Sequence, residues 1–338
     1  MKTLIYVGNK VSSHGLNVST IDTLGALLQG EGYKVVVASS KKNILLRFLH
    51  MLWVVFVHRK QTDFVLIDTY STLSFWYAFY VSKLCKYLRL PYIPILHGGN
   101  LPYRFSTSRK ATSFLVNYAF KTVIPSEYLH SHLKEFDIPR VQIIPNAVEL
   151  ENYTFKMRDS FRPKLLWVRA LAKIYNPEMA VQVVAILKKE YPEAQLTMIG
   201  PFKDISKLEM QTIIDSYGLE VQLPGKLSKE EWIARAKDYD IFINTTTIDN
   251  MPVSVIEAMA LGLPVVSTNV GGIPFLIEHG KTGQLVESNN PQAMVAAIKM
   301  YLNDFNFANH ISVNANKQVQ NFDWRVVKHQ WIQLFESN

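Results

Sequence analysis

The sequence predicts an α/β protein built from two parallel β-sheets with helices on both faces. Short, continuous apolar runs alternate with helical patterns along the chain, which is typical of strands that are buried on both faces. The runs form two series separated by a polar stretch. A length of 338 residues is enough for two domains that each bury a core, so we expect two α/β domains.

Each series supplies the strands of one sheet. The first holds apolar runs at 4–7, 35–38, 64–67, 92–96, 122–124 and 141–144. The second holds runs at 165–168, 196–199, 221–223, 241–243 and 264–267. The polar segment 151–163 predicts a linker between a first domain, residues 1–150, and a second, residues 151–321. An amphipathic helix is expected within the last segment, residues 322–338.

The positive charge is concentrated in the first half of the chain. Residues 1–150 carry 17 Lys and Arg against 8 Asp and Glu, a net +9, whereas residues 151–338 carry 19 against 20, a net −1. Such an excess predicts contact with an anionic surface or substrate. The sequence shows no nucleic-acid motif and no basic strip interleaved with aromatic residues, which favours anionic lipid or a phosphate-bearing acceptor over nucleic acid.

Cysteine content and the amino terminus predict a cytoplasmic protein. The single cysteine, Cys85, excludes an internal disulfide and lies in an apolar helical stretch, so a buried structural thiol is expected. The first residues have the pattern of a β-strand and lack the apolar core of a signal peptide. No cluster with metal-ligand spacing occurs, and we expect neither a metal nor another cofactor.

Residues 44–57 form an apolar stretch that is too short to span a membrane and is interrupted by Arg47 and His50. Basic residues bracket it on both sides: Lys41, Lys42, Arg59 and Lys60. One interpretation is an amphipathic helix that enters the interface of an anionic membrane, giving a peripheral protein on its inner face. The other is an ordinary packing helix with solvated ends. The charge bias favours the first.

The segment 245–286 is the most informative part of the chain. Asp249 lies in a loop and Glu257 in the helix that follows, whose start offers open backbone N–H groups beside two carboxylates. Asn250 is a candidate cap, and Pro252 suits the first turn. Backbone donors suit phosphates or sugars and carboxylates suit hydroxyl groups, so this helix start predicts a nucleotide-sugar pocket.

Glycines frame the rest of this segment. Gly262 is expected to end the helix, and residues 264–268 form a buried strand. The pair Gly271 and Gly272 is expected to let the backbone approach a ligand closely.

Taken together, these residues resemble the carboxyl-terminal signature of the retaining glycosyltransferases of family GT4. That signature has two glutamates with seven residues between them, followed by Ala-Met-Ala, Gly-x-Pro-Val-Val and a Gly-Gly loop. Here Asp249 stands at the first position and Glu257 at the second. Asn250 replaces the usual glycine, and Phe275 stands where glutamate is usual. The aspartate keeps the charge with a shorter reach.

The resemblance implies the GT-B fold, in which two Rossmann-like parallel-sheet domains face a deep interdomain cleft. It further implies that the first domain binds the acceptor, that the second binds the donor and that the last helix crosses back to the first domain. His97, Arg169, Lys173 and Asp249 would serve catalysis, with the two cations on the donor diphosphate and His97 near the sugar. The implied donor-binding residues are Gly15, Gly200, Lys226, Asn250, Met251, Pro252, Val253, Ser254 and Glu257.

The implied function is transfer of a sugar, with retention, from a nucleotide-diphosphate sugar to an acceptor hydroxyl. The acceptor would be a glycan or lipid-linked substrate of cell-envelope synthesis. Three alternatives remain: a nucleotide-sugar epimerase or hydrolase of the same fold, a non-catalytic sugar-nucleotide-binding protein, and a dinucleotide-dependent oxidoreductase. Against the last, the first strand and its loop lack Gly-x-Gly-x-x-Gly, and no acidic residue ends the second strand.

Overall fold

The computed structural model describes residues 1–10 and 19–337. The chain divides into two compact units, one comprising Met1–Ala147 with Val327–Asn338 and the other Val148–Val326. Each unit contains a six-stranded sheet in which neighbouring strands are parallel. The predicted fold class, two parallel α/β sheets, is confirmed.

The first unit has the strand order β2-β1-β3-β4-β5-β6. Its strands are β1 (Thr3–Val7), β2 (Lys34–Ala38), β3 (Phe64–Thr69), β4 (Tyr92–Leu96), β5 (Thr122–Ile124) and β6 (Val141–Ile143). Its helices before the second unit are α1 (Thr20–Gly30), α2 (Ile44–His58), α3 (Ser74–Tyr87), α4 (Leu101–Thr107), α5 (Arg109–Asn117) and α6 (Glu127–Leu133).

The second unit has the strand order β12-β11-β10-β7-β8-β9. Its strands are β7 (Lys164–Val168), β8 (Gln195–Ile199), β9 (Gln222–Gly225), β10 (Ile241–Asn244), β11 (Val265–Thr268) and β12 (Gln284–Val286). Its helices are α7 (Pro177–Leu187), α8 (Lys207–Ser216), α9 (Lys229–Ala236), α10 (Val253–Ala260), α11 (Ile273–Leu276), α12 (Pro291–Asn303) and α13 (Phe305–Val319). β12 was absent from the expected strands because only three residues, with Gln284 among them, carry its pattern.

Both sheets contain a point at which the strand order reverses. In the first, β1 lies between β2 and β3, and in the second, β7 lies between β8 and β10. Ligands of open α/β sheets bind outside the carboxyl ends of the strands at such points, because the connecting loops diverge there. The fold therefore predicts ligand binding at the residues that follow β1, β3, β7 and β10.

The polar segment 151–163, predicted as a linker, lies within the second unit. Arg158 fixes it there: this buried side chain donates to the carbonyls of Lys156, Tyr239 and Gly262 and lies 3.5 Å from Asp240. Burial lowers the pKa of Arg158 to about 10, against the effect of Asp240, so the guanidinium remains charged at neutral pH.

The last helix, α14 (Trp324–Glu336), places most of its residues in the first unit. The Phe335 ring lies 5.2 Å from that of Tyr33 and 5.6 Å from that of Phe64. Lys328 forms an ion pair with Glu31 at 3.1 Å. These contacts join the end of the chain to the first sheet.

Replacing Arg158 with alanine should lower the free energy of unfolding by about 3 kcal/mol, because it leaves three carbonyls and a buried carboxylate short of a partner. Urea unfolding followed by circular dichroism measures this. Arg162→Ala is the matched control, since Arg162 bonds the same Asp240 at 2.9 Å but is 55% exposed. That change should cost less than about 1 kcal/mol. Equal losses in the two variants would contradict the role given to Arg158.

Candidate functional site

The centre of the second unit is an ion pair between Arg169, which follows β7, and Asp249, in the loop after β10. Only 13% of the Arg169 side chain and 17% of the Asp249 side chain is exposed. The Tyr175 ring lies 4.1 Å from the Arg169 guanidinium. Burial lowers the pKa of Arg169, whereas Tyr175 opposes that shift, and the group stays cationic. A cation is thus held at the reversal point of the sheet.

Three consecutive threonines after β10 hold the Tyr175 loop in place. The Thr245 hydroxyl donates to the Tyr175 carbonyl at 2.8 Å. Thr246 and Thr247 both donate from their hydroxyls to the Ile174 carbonyl, and the Thr247 amide does the same at 2.9 Å. These bonds fix the turn from which the Tyr175 ring reaches Arg169. Tyr175 was not among the predicted site residues, because no motif marks it.

The Gly271-Gly272 pair packs against the loop that carries Asp249. A Cβ built on Gly271 would lie 2.0 Å from the Asp249 carbonyl oxygen, and one on Gly272 would lie 1.8 Å from that of Asn250. The Gly272 amide donates to the Asp249 carbonyl at 2.9 Å. The close approach that the structure shows is to the backbone of Asp249 and Asn250, and its effect is to position Asp249. The expected approach of this pair to a ligand stays a prediction.

Gly200 supports Arg169 in the same way. Its φ is +154°, and a Cβ there would lie 1.8 Å from the Arg169 carbonyl oxygen. The Arg169 amide in turn donates to the Ile199 carbonyl at 3.0 Å. The donor-binding role predicted for Gly200 stays a prediction, but its contact with the Arg169 backbone is direct.

Glu257, on α10, is buried and belongs to a second cluster. Its Oε1 accepts from the Tyr153 hydroxyl at 2.6 Å and lies 3.0 Å from the Lys229 ammonium. Burial, and then the charge of Glu257, raises the pKa of Tyr153, so the phenol stays a donor. Its Oε2 accepts no hydrogen bond from the part of the chain that the structure describes. One carboxylate oxygen is therefore available to a ligand. Neither Tyr153 nor Lys229 carries a sequence signal that could have identified it.

The start of α10 differs from the expectation. The helix begins at Val253, with Pro252 at the N-cap position, and Asn250 does not cap it: the Asn250 amide instead donates to Asp249 Oδ1 at 2.8 Å. Met251, Val253 and Ser254 are half-buried, and Asn250 and Pro252 are buried. The Ser254 hydroxyl is buried without a hydrogen-bond partner among the described residues. The start of α10 therefore has backbone amides and the Ser254 hydroxyl available to a ligand.

The two predicted lysines are exposed. Lys226 directly follows β9. Lys173 begins a single 3₁₀ turn, and its amide donates to Asp204 at 2.8 Å. It lines a pocket of about 460 Å³ with Glu178, Glu209 and residues of α7 and α8, and this pocket includes neither Arg169 nor Asp249. The roles of both lysines toward a donor stay predictions.

In the first unit, His97 follows β4 and pairs with Asp68, near the end of β3, at 2.7 Å. Asp68 is fully buried and also accepts from the Tyr6 hydroxyl at 2.9 Å. Gly8, after β1, packs on it, since a Cβ there would lie 2.6 Å from Asp68 Oδ2. Tyr70 stacks on His97 with ring centroids 5.2 Å apart.

Asp68 was not among the predicted site residues, although a carboxylate next to the end of an apolar strand was a usable signal. Gly15, predicted to contact the donor, lies outside the described residues. Among the residues that the structure describes, no group of three or more His, Cys, Asp or Glu side chains could hold a metal ion.

Residues 155–318 match the family model for glycosyl transferases group 1. The matched residues contain Arg169, Asp249 and Glu257 but not His97. The matched residues lie within the second unit, and the relatives that this chain resembles are named as glycosyltransferases.

Two curated relatives illustrate the similarity. A putative colanic acid biosynthesis glycosyltransferase of Salmonella typhimurium is 32% identical over 228 residues, 63% of this chain and 55% of that protein. A D-inositol 3-phosphate glycosyltransferase of Paenarthrobacter aurescens is 26% identical over 207 residues, 56% of this chain and 50% of that protein. The chain spans about half the length of these relatives.

Solved structures agree on the fold over the whole chain. Anabaena HepE in complex with UDP and glucose superposes with a TM-score of 0.83, at 16% identity, covering 100% of both chains. A lipopolysaccharide outer core galactosyltransferase, WaaB, gives a TM-score of 0.71 at 15% identity over 99% of both chains. Sequence identity this low shows a shared fold, and the predicted fold of two parallel-sheet α/β domains is confirmed.

Gly272→Ala should displace the Asp249 loop and lower the free energy of unfolding by about 1–3 kcal/mol, because a methyl group there overlaps a backbone carbonyl. Gly30→Ala is the matched control: Gly30 ends α1, and nothing lies within 4 Å of a Cβ built there. Chemical denaturation of both variants checks this. If Gly272→Ala is as stable as Gly30→Ala, the glycine pair does not position the loop.

Proposed function

We propose that the chain is a retaining glycosyltransferase that uses a nucleoside-diphosphate sugar as donor. The observation that carries this is the pairing of Arg169 with Asp249 at the reversal point of the second sheet, inside the region that matches the family model. The same activity is supported by the names of the relatives and by the resemblance of residues 245–286 to the glycosyltransferase signature.

Arg169 is proposed to bind the diphosphate. Bond breaking places negative charge on the departing nucleoside diphosphate, and a fixed cation stabilises that charge. A guanidinium has five N–H donors, and the Arg169 side chain uses few of them: Nη2 faces Asp249, and Nε has no hydrogen-bond partner among the described residues. Planar N–H pairs suit phosphate oxygens, so Arg169 can keep Asp249 and still bind a phosphate.

Glu257 is proposed to bind the ribose. Tyr153 and Lys229 fix its Oε1, which leaves Oε2 to accept from ribose hydroxyls. Glu257 lies one helix turn beyond the start of α10, and α10 follows the loop that carries Asp249. Asp249 and the amides of 251–254 are proposed to bind hydroxyls of the donor sugar, with the unused Ser254 hydroxyl as a further donor.

For the chemical step, we propose that the acceptor hydroxyl attacks from the face that the diphosphate leaves, so that the anomeric configuration is retained. The departing phosphate oxygen would accept the acceptor proton. The gain in rate would come from positioning and from charge stabilisation by Arg169 and Lys173. We propose that no metal is needed, and unchanged transfer after EDTA treatment is the corresponding measurement. His97, held by Asp68, is proposed to position the reacting sugar.

The acceptor is proposed to be a glycan or lipid-linked intermediate of envelope polysaccharide synthesis. The support is the naming of relatives for colanic acid and amylovoran biosynthesis, at 32% and 29% identity. The basic first half of the chain is compatible with a phosphate-bearing acceptor.

The function is tested by screening UDP-, GDP- and ADP-sugars for a rise in melting temperature and then assaying the best donor with and without glycan acceptors. UDP-sugars come first because the HepE structure holds UDP. Acceptor-dependent release of nucleoside diphosphate, with a product whose anomeric configuration matches the donor by NMR, is expected. Release that is independent of acceptor would indicate a hydrolase, and absence of any binding would overturn the proposal.

The role of Glu257 predicts a specific dependence on ribose hydroxyls. The protein should bind UDP, or the diphosphate found in the screen, at least about tenfold more tightly than its 2′-deoxy form, because a charge-assisted hydrogen bond is lost. In Glu257→Gln this preference should shrink several-fold. Isothermal titration calorimetry measures it, with Glu278→Gln, an exposed carboxylate of the same unit, as control. An undiminished preference in Glu257→Gln would exclude the assigned contact.

A further inference from the structure

Helix α2 exposes most of its apolar side chains. Met51, Val54 and Val55 are the buried ones. The exposed ones include Leu45 (64% exposed), Leu46, Leu49, Trp53 (58%), Phe56 and Val57. At 100° per residue these six fall within a sector of about 120°, opposite the buried three. The helix therefore has two apolar faces, and only one of them packs on the unit.

The neighbouring helix α3 extends the exposed surface. Tyr80 on α3 is 48% exposed, and its ring lies 5.8 Å from that of Phe48 on α2. Trp76 on α3 and Leu73 just before it are also exposed. Isolated exposed apolar residues are ordinary, but a continuous group of this kind indicates an interaction site. We call these residues of α2 and α3 the apolar face.

The surrounding sequence is almost free of negative charge. Residues 32–126 contain 13 Lys and Arg but only two acidic residues, Asp63 and Asp68. Asp68 is fully buried, and Asp63 accepts from the Thr3 amide at 2.6 Å. The cations that lie on α2 or α3, or that directly flank α2 in the chain, are Lys41, Lys42, Arg47, Arg59, Lys60, Lys83 and Lys86. Among the described residues, none of these forms an ion pair with a carboxylate.

We propose that the apolar face docks on the surface of an anionic lipid bilayer, with the flanking cations on the headgroups. The apolar side chains of such a helix enter the boundary between headgroups and acyl chains, where Trp and Tyr are favoured. Each nearby Lys or Arg adds attraction to an anionic surface. No helix in the described part of the chain is long and apolar enough to cross a membrane.

Charge decides between a bilayer and a second copy of the chain. Two copies meeting through this face would bring two cationic rims together, and like charges repel. An anionic bilayer complements both the apolar centre and the cationic rim. This inference stands apart from the proposed sugar transfer, because it uses none of the residues assigned to the donor.

The full chain is tested by co-sedimentation with vesicles of pure phosphatidylcholine and of phosphatidylcholine containing phosphatidylglycerol. Binding is expected only to the anionic vesicles and should weaken with added salt. The variant W53S/F56S should reduce partitioning at least about tenfold, because it removes two large apolar side chains from the interface. The variant K41Q/K42Q should reduce binding and its dependence on salt.

Matched controls lie in the second unit. Leu208→Ser changes a leucine that is 76% exposed on α8, and K188Q/K189Q removes another adjacent lysine pair. Both should bind vesicles as the unchanged protein does. Circular dichroism and melting temperature are expected to be the same for all four variants, since the altered side chains are largely exposed.

Three results would overturn the proposal. One is the absence of binding to anionic vesicles, and another is equal binding by W53S/F56S. The third is a dimer in analytical ultracentrifugation that W53S/F56S converts to a monomer, which would make the apolar face a protein interface. Because vesicle binding is measured without donor or acceptor, its failure would leave the proposed transferase activity unaffected, and the reverse also holds.

Discussion

The ion pair between Arg169 and Asp249 is the interaction around which the second unit is organised. A largely buried guanidinium and a largely buried carboxylate each require a partner, because removing either charge from water without one is costly. The fold provides the pairing by placing β7 beside β10, so that the residues following these strands meet. The threonines after β10 fix Tyr175 against the cation, and Gly200 and the Gly271-Gly272 pair let neighbouring backbone close around both partners.

The first unit has a comparable arrangement of side chains at its own point of strand reversal, made of different residue types. Its sheet also reverses, and there Asp68 is buried under Gly8 and bonded to His97 and Tyr6. Burial, followed by the charge of Asp68, raises the pKa of Tyr6 well above its ordinary value, so the phenol stays protonated as a donor. In both units a buried carboxylate orients a nitrogen-bearing side chain at the carboxyl edge of the sheet. The position follows from the topology, and the residue types determine what can bind.

The features that follow from periodicity were predictable from the sequence. Buried parallel strands appear as continuous apolar runs. Of the twelve strands in the described residues, eleven were expected close to their observed positions. The order of residues in 245–286 identified Asp249 and Glu257, and the end of an apolar strand identified Arg169. Features that depend on contacts between distant residues were not predictable. The partners Tyr153, Lys229 and Tyr175 lie far along the chain or in turns with no motif. Local backbone geometry determines that Gly272 contacts Asn250 and that α10 begins at Val253. No residue pattern in a single sequence reveals that geometry.

We propose that Arg169 receives the second phosphate of the donor nucleotide. Calorimetry can compare the affinity for nucleoside diphosphate with that for monophosphate in two proteins, Asp249→Asn and the double variant Asp249→Asn with Arg169→Met. Both proteins lack the carboxylate of residue 249, so the loss of Arg169 leaves no buried carboxylate unpaired. We expect the diphosphate to bind at least about tenfold more tightly than the monophosphate when Arg169 is present, and this advantage to be largely lost when it is replaced. An advantage of the same size in both proteins would exclude this role of Arg169.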